Sequence, residues 1–297
     1  MTEPHSPAPR SASRTALAVA ALRGLHQSID GEPKILADPL SARLLGESML
    51  HTAASYLGDP HASILRELRA HVVLRSRYCE DRLAAAVERG VSQFIVLGAG
   101  LDTFAYRQPA WAQGLRIYEV DHPASQEEKR QLLAQAGINI PDNVQFVAID
   151  FEQTSLAQGL QAAGVDRARK SFFSCLGVMM YLSEVAVDAL FALVAQFPAG
   201  SEIVFTYQQT GRDTEPEMAS KVAALGEPWA HHSQPETLAH QLKALGFQGL
   251  EELAPADAQA RYFQGRSDGL RAPLKWGIAA AVVGQARSDP GPHRNTP

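Results

Sequence analysis

Two glycines and three acids stand at the ends of successive apolar runs, a spacing suited to holding a nucleoside. The first run, "SQFIVL", ends at Gly98-Ala99-Gly100. Paired glycines let the chain turn sharply and bring its backbone close to a ligand with no Cβ in the way. About 20 residues on, a second run ends in "EVDHP". That places Asp121 where a carboxylate accepts hydrogen bonds from both hydroxyls of a ribose. Glu119, two residues earlier on the same strand face, competes for that role. A third run ends at Asp150-Phe151, an acid to take the amino group of an adenine beside an aromatic ring to cover it.

The nucleoside is unlikely company for a diphosphate on these residues. A dinucleotide turn wants Gly or Ala at the third position of its fingerprint, where this chain has Thr103. Asp102 adds a negative charge that repels phosphate and attracts an ammonium group; it is equally suited to capping the helix that follows. The chain has no Tyr-x-x-x-Lys pair of the short-chain dehydrogenase kind. Adenosine joined to an amino acid, S-adenosylmethionine, satisfies this set better than NAD does. Two rivals share the layout: an NAD(P)-dependent oxidoreductase and a non-catalytic nucleotide-binding protein. On the acceptor side, His231 and His232 beside Trp229 titrate in the range of a general base, against the plainer reading of an exposed pair. Tyr181 and Tyr207 end the fourth and fifth strands and are candidates for a substrate wall, or for core packing. The histidines form no metal-binding pattern, so no metal is expected.

The elements that must position these residues follow from hydrophobic pattern. "SQFIVLG", "LRIYEV", "VQFVAI", "SFFSCLG" and "SEIVFTY" suit strands buried on both faces, as a parallel sheet covered by helices demands. "FQGLEEL" and "KWGIAAAVVG" supply two more, possible partners in a terminal hairpin. Before them, residues 13–30 have apolar side chains at helical spacing, "ADPLSARLLG" reads as a short helix stopped by Gly46, and a long helix covers about 61–89. The expectation is an α/β three-layer sandwich with a Rossmann-like, mostly parallel sheet of about seven strands, helices on both faces and extra N-terminal helices. Residues 13–286 form one domain in this reading: a helical cap at 13–89, a nucleotide-binding core at 90–209, a lid at 208–235 and a C-terminal part at 236–286. The Pro- and Ser-rich ends, 1–12 and 287–297, read as disordered tails.

Composition narrows the class. With 45% hydrophobic and 20% charged residues and a net charge of -5, the chain has no electrostatic reason to approach nucleic acid or an anionic membrane. Its two cysteines, Cys79 and Cys175, give no disulfide framework. No signal peptide or spanning segment is legible, so the expected place is the cytoplasm and the expected partner a small molecule; oligomeric state is open.

In combination, "LRSRYCEDRL", "GVSQFIVLGAGLDTFAYR", "IYEVDHP", "LGVMMYLS" and "RYFQGRSDGL" resemble the class I S-adenosylmethionine methyltransferases of the leucine carboxyl methyltransferase type, with a close likeness to tetracenomycin-type polyketide O-methyltransferases. The resemblance implies that an arginine of "LRSRYCED", Arg77 or Arg75, binds the methionine carboxylate. It also implies cofactor contacts from Gly98, Gly100, Asp121, Asp150 and Phe151. One departure is Leu176, where many relatives carry glutamate. The implied reaction is an SN2 displacement on a methyl group that is already electrophilic, so alignment and exclusion of water dominate. A carboxylate acceptor needs no base, and with none legible the sequence favours a carboxylate over a hydroxyl.

Overall fold

A period of two in the buried residues builds the sheet. Ile95, Leu97, Phe173, Cys175, Ile203 and Phe205 enter one apolar cluster, while their neighbours Phe94, Val96, Phe172 and Val204 enter another on the opposite face. Phe172 and Phe173 are both fully buried, each worth about 1.5–3 kcal/mol of burial. The computed structural model describes residues 13–151, 153–209, 220, 223–224 and 227–285. The tails read at 1–12 and 287–297, and the centre of the segment read as a lid, lie outside the described residues.

The seven strands are β1 (Gln93–Leu97), β2 (Arg116–Asp121), β3 (Val144–Ala148), β4 (Ser171–Cys175), β5 (Glu202–Gln208), β6 (Phe247–Glu252) and β7 (Trp276–Val283). Their spatial order is β3-β2-β1-β4-β5-β7-β6. The first five are parallel. β7 inserts antiparallel between β5 and β6, so the two last strands do form an antiparallel pair. The chain winds outward from β1 to β3, then returns to start β4 on the other side of β1. That reversal opens a crevice at the carboxyl ends of β1 and β4, the position where open α/β sheets bind ligands.

Three N-terminal helices stand over the crevice: α1 (Arg14–Ile29), α2 (Pro39–Leu57) and α3 (Ser63–Glu88). Ser13 caps α1 by accepting from the Ala16 amide, and Asp38 caps α2 by accepting from Ser41. Gly46 at φ +69 kinks α2 instead of ending it, so helix continues to Leu57. α3 supplies Ala70, Val73, Leu74 and Tyr78 to one face of the sheet. The other face is covered by α5 (Leu156–Ala162), α6 (Glu184–Val194) and α7 (Pro235–Ala244), after α4 (Pro123–Gln135) has crossed from β2 to β3. α1 and α2 pack through Ala20, Ala21, Leu44 and Leu45 onto Leu101, just past the glycine turn. Buried ion pairs fix their placement. Arg23 Nε lies 2.9 Å from Asp38, and Asp30 accepts from Arg69 at 2.7 and 2.8 Å and pairs with His26 at 2.8 Å. Breaking one member of such a pair costs about 3–5 kcal/mol, because it strands a charge.

No helix among the described residues is long and apolar enough to cross a membrane.

Candidate functional site

The turn after β1 is held open by glycine geometry. Gly98 and Gly100 sit at φ +68 and +44, and a Cβ on Gly98 would fall 2.3 Å from Val178 Cγ2. Gly98 and Ala99 donate their amides to the Val120 carbonyl at 2.8 and 3.0 Å, tying the turn to the end of β2. Gly100 donates to Asp121 Oδ2 at 2.5 Å and His122 donates to Oδ1 at 2.7 Å. Each carboxylate oxygen therefore takes one backbone amide and keeps lone pairs for a ligand. Burial raises the Asp121 pKa above the ordinary aspartate value in spite of those two donors.

Glu119 is placed elsewhere: it is 1% exposed, contacts Lys129 Nζ at 2.8 Å and accepts from the Tyr106 hydroxyl at 2.7 Å. Of the two acids, Asp121 lines the cavity and Glu119 does not.

A cavity of about 880 Å³ opens at this edge, and Gly98, Gly100, Asp102, Asp121, Asp150 and Phe151 all form part of its wall. Asp102 Oδ1 accepts from the Phe104 amide at 2.8 Å, at the start of a short 3-10 turn, and the residue lines the cavity. Asp150 Oδ2 lies 3.8 Å from His122 Nε2.

Arg75 reaches the cavity from α3. Its guanidinium lies against Gly177, where a Cβ would come within 2.6 Å of Nη1. Among the described residues no hydrogen bond or ion pair holds Arg75, although it is only 9% exposed. Burial, with Arg23 adding to it, pulls its pKa down to about 10, so it stays charged at neutral pH. A buried cation with no internal partner is a receptor for an anion. Arg77 is placed elsewhere: two residues rotate about 200° round a helix, and Arg77 is 44% exposed, paired with Asp81 at 2.8 Å and absent from the cavity wall.

Three other residues proposed from sequence also lie off the wall. Tyr207 is 1% exposed, its hydroxyl donates to Glu252, and its ring fills the space over Gly277, because position 207 shares the inward face of Ile203 and Phe205. His231 turns its Nε2 to Ser233 Oγ at 2.8 Å, and His232 is exposed. Tyr181 and Trp229 do line the cavity, and burial raises the Tyr181 pKa above 10.0. The sequence reading missed His71 and Trp276, which stack with ring centroids 5.0 Å apart on the same wall. His71 was accessible to reasoning, since i and i+4 share a helix face and His71 lies four residues before Arg75. The missed Glu227 accepts from Ser13 at 3.1 Å and from the Arg14 amide at 2.9 Å, fastening the segment after β5 to the start of α1.

Arg75, Asp102, Asp121, Asp150 and Phe151 thus share the wall of one cavity, as the expectation of an S-adenosylmethionine site requires. Among the described residues no cluster of three or more His, Cys, Asp or Glu side chains is set to hold a metal ion.

Comparison with known proteins gives the family and the fold. The family profile described as leucine carboxyl methyltransferase matches residues 16–195. The chain is 36% identical over 206 residues, 67% of each chain, to the provisionally named S-adenosyl-L-methionine-dependent methyltransferase YktD of Bacillus subtilis. It is 33% identical over 200 residues, 66% of this chain and 69% of the other, to the similarly named SCO7813 of Streptomyces coelicolor. Among solved structures, a provisionally named methyltransferase from Thermobifida fusca superposes with a TM-score of 0.58 at 21% identity, covering 95% of this chain and 100% of that one. A DUF574 family protein from Streptomyces avermitilis gives 0.57 at 18% identity, covering 92% and 98%. These two likenesses speak for the fold.

Proposed function

We propose that this chain, which belongs to the leucine carboxyl methyltransferase family and is an S-adenosylmethionine-dependent methyltransferase, places the methyl group on an oxygen of a small, largely apolar molecule of polyketide-like character. The observation that carries the reading is one cavity whose wall combines the charged residues Arg75, Asp102, Asp121 and Asp150 with the apolar and aromatic residues Leu65, Leu68, Met180, Tyr181, Trp229 and Trp276. In this reading the charged residues hold the charged and polar parts of the cofactor, and an apolar acceptor packs against the apolar and aromatic ones.

The cofactor supplies a methyl group made electrophilic by its sulfonium. The residues of this chain have the remaining work. Arg75 and Asp121 anchor the cofactor at its two polar extremities and so fix its rotation in the crevice. The apolar wall desolvates the acceptor oxygen and holds it in line, where orientation supplies most of the rate. Glu227, bound to the first turn of α1, ties the segment that carries Trp229 to the N-terminal helices, and both residues line the cavity.

The test is incubation of the protein with S-adenosylmethionine carrying a radiolabelled methyl group and a panel of aromatic acids and phenols. Label in an O-methyl product supports the reading; label only on nitrogen or carbon acceptors, or NADH turnover in its place, overturns it.

A further inference from the structure

His71 is 2% exposed and forms part of the cavity wall, yet among the described residues neither ring nitrogen makes a hydrogen bond; Nδ1 is buried without a partner. A histidine kept for packing gains nothing from that state, since phenylalanine would stack on Trp276 without burying an unpaired polar atom. Its position is informative. It stands one helical turn, about 6 Å, from Arg75 on the same face of α3, and Leu68 and Val72 of that helix line the cavity with it.

Resting on the O-methyltransferase reading above, we infer that His71 is the general base that takes the proton from the acceptor, which makes the acceptor an aromatic hydroxyl compound. The sequence expectation of a carboxylate depended on the lack of a visible base, and the fold supplies one from the N-terminal cap. An imidazole is matched to a phenol, whose pKa near 10 is within its reach, and far less to an aliphatic alcohol. The aromatic wall of Trp229, Trp276 and Tyr181 suits a flat ring system.

The proton balance closes. The hydroxyl proton passes to His71, an oxygen lone pair forms the O–C bond to the methyl carbon, and the electron pair of the broken C–S bond stays on sulfur. His71 then returns its proton to solvent as the product leaves. The other charged and titratable groups on the cavity wall are Arg23, Arg75, His122, Asp59, Asp102, Asp121, Asp150, Glu227, Tyr56 and Tyr181. Burial, reinforced by Arg75, lowers the His71 pKa well below the ordinary 6.5, which leaves the ring in its neutral form throughout the neutral range and makes it a weaker base than a free imidazole.

The test uses His71→Phe with 1-naphthol, its methyl ether 1-methoxynaphthalene, and 1-naphthoate as probes. In calorimetry on the S-adenosylhomocysteine complex, His71→Phe should bind 1-naphthol about tenfold more weakly and the methyl ether equally well. Its affinity for S-adenosylhomocysteine should stay within about twofold, and its melting temperature should not fall. In methyl transfer, wild type should act on 1-naphthol at a rate nearly flat from pH 7 to 9. The variant should be slower by at least about a hundredfold at pH 7 and recover about tenfold per pH unit, as solution ionisation replaces the base. Equal naphthol binding by both proteins, a variant profile parallel to wild type, or a variant that loses stability and all ligands together would overturn the assignment. Methylation of 1-naphthoate in place of 1-naphthol would overturn the hydroxyl acceptor while leaving the O-methyltransferase reading intact. Failure to methylate either probe would overturn the aromatic hydroxyl class, and failure to bind S-adenosylhomocysteine would instead remove the reading on which it rests.

Discussion

Replacing Arg75 by methionine should strengthen the empty protein and weaken its hold on the cofactor. The structure sets both magnitudes. Burial moves the guanidinium down from the ordinary arginine value to about 10, and at 1.36 kcal/mol per unit this disfavours the charge by about 3 kcal/mol. Because the pKa of a cation is lowered, the cost is present at every pH below about 10 and disappears only above the ordinary arginine value. Arg75→Met removes that cost at pH 7 and keeps most of the side-chain volume, so the melting temperature of the free protein should rise by a few degrees. The same change deletes the charged donors for the methionine carboxylate. Contacts of that kind are worth roughly 1.5–3 kcal/mol, so S-adenosylhomocysteine affinity should fall about tenfold to a hundredfold. 5′-Methylthioadenosine, which has the adenosine and lacks the amino acid, should bind both proteins alike. Arg77→Met removes an exposed pair with Asp81, worth about 0–1 kcal/mol, and a long hydrogen bond to the Ile35 carbonyl, and should change neither ligand. Calorimetry with the two ligands and thermal unfolding decide the matter. Parallel weakening of both ligands with a lower melting temperature would mean that Arg75 supports the fold. Loss of S-adenosylhomocysteine binding in Arg77→Met alone would mean that the carboxylate is read from the outer face of α3.

Asp121→Ala should lower S-adenosylhomocysteine affinity about tenfold to a hundredfold by calorimetry. Glu119→Gln should leave the affinity of the folded protein unchanged and cost about 3–5 kcal/mol in urea unfolding, since it strands Lys129. Gly177→Ala puts a Cβ 2.6 Å from Arg75 Nη1 at φ +75; displacement of the guanidinium should weaken S-adenosylhomocysteine and spare 5′-methylthioadenosine. Because burial raises the Asp121 pKa, the carboxylate form is lost on acidification sooner than for a free aspartate, so S-adenosylhomocysteine affinity should begin to decline at a pH above the ordinary 3.8. Asp121→Asn should flatten that decline.

Much of the architecture is written in local pattern. Runs such as "SFFSCLG" lack a charged face because both faces of a central parallel strand are covered, and the five runs mark β1 to β5. The place of β7 is harder to read. Its alanine-rich centre fits beside either β5 or β6, and its insertion between them depends on packing across the whole sheet. At the site, the acids at strand ends were legible because the turn to the cofactor is local. The choice between Glu119 and Asp121 was not, because it depends on Lys129 from α4 and Tyr106 from the loop before β2. The period of two would have put Tyr207 inward with Phe205, and the period of 3.6 links His71 to Arg75. What neither period shows is that α3 folds back to turn that face onto the crevice, and so the search for a base went to the histidines after β5.

The most direct measurement is a crystal structure of the protein with S-adenosylhomocysteine. The account predicts the amino-acid carboxylate on the Arg75 guanidinium, both ribose hydroxyls on Asp121, the adenine beside Asp150 and Phe151, and the sulfur facing the chamber walled by His71 and Trp276. A carboxylate held by any other residue, or a ribose that leaves Asp121 untouched, would contradict it.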